Sequence, residues 1–116
     1  MKAEVIELDS NEHCGNLELQ PDLKPAVPRT EDEKQQLINR LKRVEGQVRG
    51  LQKMVEDDRY CVDVLIQLSA VQAALKKVGY SLLERHTKTC VAGAIKEGHG
   101  DHHIDELLKV IQQFSK

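Results

Sequence analysis

Proline placement decides most of what this chain can fold into. Its three prolines are Pro21, Pro25 and Pro28, so residues 31–116 contain none. Those residues also lack the alternating apolar and polar pattern of strands, and no internal repeat stands out. Aromatic residues are only 3% of the chain, with no Trp, two Tyr and one Phe. A core must then be built from Leu, Val, Ile and Ala, which favours helices over a β-sandwich. The same scarcity argues against modules that stack bases on aromatic rings. Residues 1–30, with all the prolines and no helical period, read as a mobile N-terminal arm, and residues 31–116 as one helical domain.

Local signals set the helix limits. Thr30-Glu31-Asp32-Glu33 has the form of a capping box, and its acids suit a helix N-terminus. Leu37, Leu41, Val44, Val48, Leu51 and Val55 then step by four and three, a heptad seam that predicts a helix to about Glu56. Asp57-Asp58-Arg59 reads as a turn. A second helix is expected from Tyr60 or Cys61, ending at Gly98-His99-Gly100. Cys61, Leu65, Leu68, Gln72, Leu75, Gly79, Leu82 and His86 form its seam, and Val62, Ile66, Ala70, Ala73 and Ala74 a second stripe. Asp101 is expected to cap a short third helix carrying Ile104, Leu107, Leu108 and Ile111. A helix of roughly 33 residues is about 50 Å long, and one neighbour cannot cover both of its stripes. Self-association into an antiparallel four-helix dimer is the natural remedy.

The seam of the second helix also carries chemistry. His86 and Cys90 are four residues apart, so in an α-helix they share a face and can chelate one ion. Cys61 has the same helical phase but lies about 37 Å away along a straight helix. The three meet if two copies of this helix pack antiparallel, with Cys61 of one protomer beside His86 and Cys90 of the other. Two thiolates and an imidazole are a soft three-donor set that suits Cu(I), whereas Zn(II) wants a fourth ligand. His13-Cys14 in the arm and His99, His102 and His103 at the third helix are weaker candidates for metal. No phosphate loop, Ser-His-Asp pattern or carboxylate pair is visible, so an enzyme has little support.

The formal net charge is −2, from 17 Lys and Arg against 19 Asp and Glu, which by itself gives no nucleic-acid signal. The charge is uneven, however. Between residues 34 and 53, Lys34, Arg40, Lys42, Arg43, Arg49 and Lys53 face a single acid, Glu45. A basic helix face on a dimer can follow duplex phosphates. No standard DNA-reading signature is present, so such binding needs another geometry. No stretch of about 18 apolar residues exists, and the start Met1-Lys2-Ala3-Glu4 lacks an apolar signal region. A cytoplasmic, reducing location is expected, where cysteines act as metal ligands or reactive thiols.

Residues 40–50 read RLKRVEGQVRG, followed by Met54, Tyr60-Cys61, His86 and Cys90. This pattern resembles the copper-sensitive operon repressor (CsoR) family over about residues 32–113. The resemblance implies an all-α, three-helix protomer, an antiparallel four-helix-bundle dimer, and a flat tetramer made of two dimers. It further implies a repressor that holds double-stranded operator DNA when metal-free and releases it on binding Cu(I). The genes so released typically encode copper efflux pumps and copper chaperones, and a chaperone is a possible copper donor. By position, Cys61, His86 and Cys90 are the implied metal ligands, and Tyr60 and Glu106 the implied pair behind them. Arg40, Arg43, Arg49 and Lys77 are the implied DNA contacts. The family also contains nickel/cobalt, formaldehyde and persulfide sensors. The nickel/cobalt branch has His where this chain has Cys90, and an N-terminal His where it reads Pro28-Arg29-Thr30. The formaldehyde branch lacks the second Cys, and the persulfide branch lacks the His at position 86.

Overall fold

The computed structural model describes residues 17–115. Helix α1 spans Glu31–Glu56, α2 spans Cys61–His86, a π-helical turn covers Thr87–Val91, α3 spans Ala92–Lys96 and α4 spans Gly100–Phe114. There is no strand among the described residues, as the all-α expectation requires. No helix among them is long and apolar enough to cross a membrane. The described residues form two compact units, one made of Val27–His86 and the other holding the π turn, α3 and α4 with residues 17–26.

The first unit is a helical hairpin. Thr30 caps α1 from extended backbone, its Oγ1 accepting from the Glu33 N–H at 3.1 Å. The first turn carries Glu31, Asp32 and Glu33, whose charges suit the positive helix end. At the other end, Asp58 N–H reaches Val55 O at 3.2 Å and Arg59 N–H reaches Met54 O at 2.9 Å. These two bonds close a Schellman turn around Asp58, which takes the left-handed conformation at φ 51°. Asp tolerates this region better than most side chains. The reversal returns the chain as α2, antiparallel to α1.

One row on each helix closes the hairpin. Val44 of α1 and Val71 and Val78 of α2 are buried, while Leu37, Leu51 and Val64 are half-buried. On α1 the row is Leu37, Val44, Leu51; on α2 it is Val64, Val71, Val78, Arg85. Each advances by seven residues, two helical turns. The α2 row is neither of the stripes that the sequence singles out. Leu65 and Ile66, one from each of those stripes, are both 60% exposed in the single chain.

Arg85 ends the α2 row with polar contacts. Its Nε donates to Glu33 Oε2, Nη1 to the Val27 carbonyl at 3.0 Å and Nη2 to the Pro28 carbonyl at 3.1 Å. The segment just before α1 is thereby fastened to the end of α2. The Arg85 hydrogen bond holds the Glu33 carboxyl below its ordinary value near 4.5 against the opposing effect of burial, with the Arg85 charge and Thr30 adding to the depression.

In the second unit Val91 and Ala94 are buried. Helix α3 ends in another Schellman turn: Gly98, at φ 86°, donates to Ile95 O at 3.2 Å, and His99 donates to Ala94 O at 2.7 Å. A Cβ at Gly100 would lie 2.7 Å from Ile95 Cγ1, so only glycine fits that approach without rearrangement. This tight turn starts α4 at Gly100 with His99 at the cap position, and no side chain caps it. Asp101 therefore sits inside the first turn and is not the cap expected from sequence; its charge still complements the helix dipole.

Two outcomes test this packing. Val71→Ala removes two buried carbons from the hairpin and should cost about 2 kcal/mol in denaturant unfolding. Glu33→Gln should be less stable than the parent at neutral pH. A depressed carboxyl stabilises fully above its unfolded value and loses that effect as pH falls through the folded one, so the gap should close below about pH 4.

Candidate functional site

The soft donors lie at two places on the chain. Cys61 is the first residue of α2, and its free thiol is exposed. His86 is the last residue of α2 and is half-buried. Twenty-five residues of rise put these two ends about 37 Å apart. Cys90, also a free and half-buried thiol, lies in the π turn, where its sulfur accepts from Thr89 Oγ1 at 3.6 Å. Among the described residues no three His, Cys, Asp or Glu side chains converge to hold a metal ion. The donor types fit a soft monovalent metal, but one protomer does not bring them together.

The π turn corrects one expectation. The second helical region does not continue as a regular α-helix from Cys61 to the Gly98-His99-Gly100 segment. Its α-helical hydrogen bonding stops at His86, and an i→i+5 turn contains Cys90. Short π segments of this kind often mark functional positions.

The remaining sequence candidates are dispersed. Tyr60 is exposed immediately before α2, and Glu106 is half-buried on α4. His99, His102 and His103 lie at the start of α4, with the His102 and His103 rings edge to face at 5.6 Å. They do not form a three-donor cluster. His13 and Cys14 lie outside the described residues.

Arg40, Arg43 and Arg49 are exposed on α1 and Lys77 is exposed on α2. Arg49 is paired with Glu45 one turn back at 2.9 Å, an exposed contact that binding to phosphate can replace at little cost. Arg40 shares a shallow cleft with Glu33, Gln36, Leu37, Ser81, Leu82 and Arg85. Charge alone does not single out Arg85, whose partners are Glu33 and the Val27 and Pro28 carbonyls. The seven-residue step from Val64 through Val71 and Val78 to Arg85 was the available signal, because it puts the arginine at the end of a covered row.

Comparison with known proteins fixes the family. A family model described as metal-sensitive transcriptional repressor matches residues 33–113. The copper-sensing transcriptional repressor CsoR of Bacillus subtilis is 63% identical over 84 residues, covering 72% of this chain and 83% of the relative. The copper-sensing repressor RicR of Mycobacterium tuberculosis is 52% identical over 66 residues, or 57% of this chain and 69% of the relative. The crystal structure of the copper-sensing repressor CsoR with Cu(I) from Geobacillus thermodenitrificans superposes with a TM-score of 0.75 at 59% identity, covering 79% of this chain and 96% of that one. The nickel-responsive transcriptional regulator InrS gives a TM-score of 0.63 at 37% identity, over 74% of this chain and 97% of its own. With the soft donors Cys61, His86 and Cys90 and the basic residues of α1 from Lys34 onward all within the matched residues, the chain belongs to the metal-sensitive transcriptional repressor family.

Proposed function

We propose that this protein is a copper(I)-responsive transcriptional repressor: its metal-free form binds double-stranded operator DNA, and Cu(I) at a site shared by two protomers releases it. One observation carries the reading. Cys61 and His86 stand at opposite ends of α2, and the apolar residues between them, Leu65, Leu68 and Leu75, are exposed in the single chain. Antiparallel pairing of α2 with its copy would cover that row and place Cys61 of each protomer at His86 and Cys90 of its partner. Two-fold symmetry gives two such sites per dimer. The copper-sensing names of the relatives and the Cu(I) in the Geobacillus structure support the choice of metal.

Cu(I) is a soft ion that accepts low coordination by thiolate and imidazole. The residues of the chain do the rest. Cys61 and Cys90 supply thiolates, and His86 supplies a ring nitrogen. Tyr60 and Glu106 serve as the hydrogen-bonding partners behind this set, orienting His86 and linking it to α4. Arg40, Arg43, Arg49 and Lys77 meet the phosphates. DNA and metal must prefer different arrangements of the same assembly, so each weakens the other's binding by the same factor. The assembly is a dimer or a flat tetramer of two dimers, working in the cytoplasm, with a copper chaperone as a possible metal donor and copper efflux or chaperone genes as targets. No catalytic step belongs to this reading.

A nickel/cobalt sensor is the second reading, suggested by the likeness to the nickel-responsive InrS, and Cys90 speaks against it because a second thiolate favours the softer ion. A persulfide or formaldehyde sensor would instead react covalently at the exposed Cys61 thiol, and mass spectrometry of the treated protein would show the adduct.

Two variants separate metal from DNA. Cys61→Ala should lose tight Cu(I) binding in an anaerobic titration against a competing chelator, yet bind operator as the parent does; retained tight binding would remove Cys61 from the site. Arg40→Ala should weaken operator binding in fluorescence anisotropy by about tenfold and leave one Cu(I) per protomer; unchanged DNA affinity would remove Arg40 from the contact surface.

A further inference from the structure

Arg85 is the residue that the proposed mechanism leaves unused, and its position is unusual. It ends a row whose other members, Val64, Val71 and Val78, are apolar and covered by α1. Its side chain is only 20% exposed. Its guanidinium reaches back to one short stretch, the Val27 and Pro28 carbonyls and the Glu33 carboxylate. His86 follows it directly, and the α-helix ends there. Arg40 lines the same cleft from the α1 side.

We propose that the Arg85–Glu33 clamp is a positioning device that couples occupancy of His86 to the placement of the first turns of α1, including Arg40. The proposal rests on the copper-responsive reading above. The physical case is one of leverage. Arg85 and His86 are the last two residues of α2, so a displacement of that final turn when a metal is drawn to His86 carries the base of Arg85 with it. The planar guanidinium fork holds three acceptors in fixed directions, so a small rotation at its base misaligns all of them. An exposed ammonium or a neutral chain in its place would follow such a rotation without transmitting it. The acceptors lie at the start of α1, so what moves with them is the segment from Val27 to Glu33 and the face that carries Arg40. Glu33 and Arg85 bind neither metal nor DNA in this scheme.

The test is a double-mutant cycle in the full-length protein with Glu33→Gln, Arg85→Lys and the pair. Operator affinity is measured by anisotropy without and with one Cu(I) per protomer, and the ratio of the two is the coupling. Copper stoichiometry and the thiolate-to-metal ultraviolet absorption report on the ligands independently. Hydrogen exchange of the metal-free proteins reports on residues 31–34. The clamp predicts a coupling ratio reduced by about tenfold in each single variant and no further loss in the pair. Copper stoichiometry and absorption stay as in the parent, and exchange at residues 31–34 becomes faster in the metal-free variants. Unchanged coupling in both single variants, with native circular dichroism, would overturn the proposal. Loss of the copper absorption in Glu33→Gln would also overturn it, by making the clamp part of the ligand scaffold. If the parent itself keeps its operator at full copper loading, the copper-responsive reading fails first and the clamp fails with it; the two failures differ in whether the parent responds.

Discussion

A 26-residue α-helix keeps its ends about 37 Å apart, and intact backbone hydrogen bonding gives it no way to bring them together. In α2 those ends are Cys61 and His86. The molecule therefore has soft donors of matching chemistry that one protomer cannot unite. Either the donors are unrelated or the site is made by two chains. The uncovered apolar row between them favours the second alternative, because the pairing that hides the row also joins the donors. Assembly and metal sensing then share one surface.

The hairpin explains how α2 can serve two neighbours. α1 occupies only the row from Val64 to Arg85, and the buried residues there are valines, small enough for close approach of two helices. Leu65, Ile66, Leu68 and Leu75 are left exposed. A helix with one face committed within the protomer and another left free is suited to transmit a shift from one to the other, because packed helices move as rigid rods. The start of α1 is fastened to the end of α2 through Arg85, so the rods are joined at one end by the short turn and at the other by the guanidinium.

Much of this was legible in the sequence. The limits of α1, the Thr30 cap and the start of α2 follow from a heptad pattern flanked by strong local signals, and the structure has them. The family could be read from RLKRVEGQVRG with the Cys, His and Cys that follow. Three features were not legible, each for a physical reason. The strongest apolar row of α2 is not the one that α1 covers, because periodicity shows that a face is apolar and not which neighbour covers it. The π turn has no periodic signature; its sequence, Thr87-Lys88-Thr89-Cys90-Val91, holds three β-branched residues that fit a regular helix less well. The Arg85 clamp depends on backbone carbonyls, which side-chain patterns do not report.

The central claim is that the metal site belongs to two protomers, and complementation tests it most directly. Cys61→Ala protein and a His86→Ala, Cys90→Ala protein are each titrated anaerobically with Cu(I), then unfolded together, refolded as a mixture and titrated again. The account predicts no tight site in either protein alone and one tight site in each mixed dimer, built from Cys61 of the second protein and His86 with Cys90 of the first. Tight binding by either variant alone, or none in a mixture shown to contain mixed dimers, would contradict it.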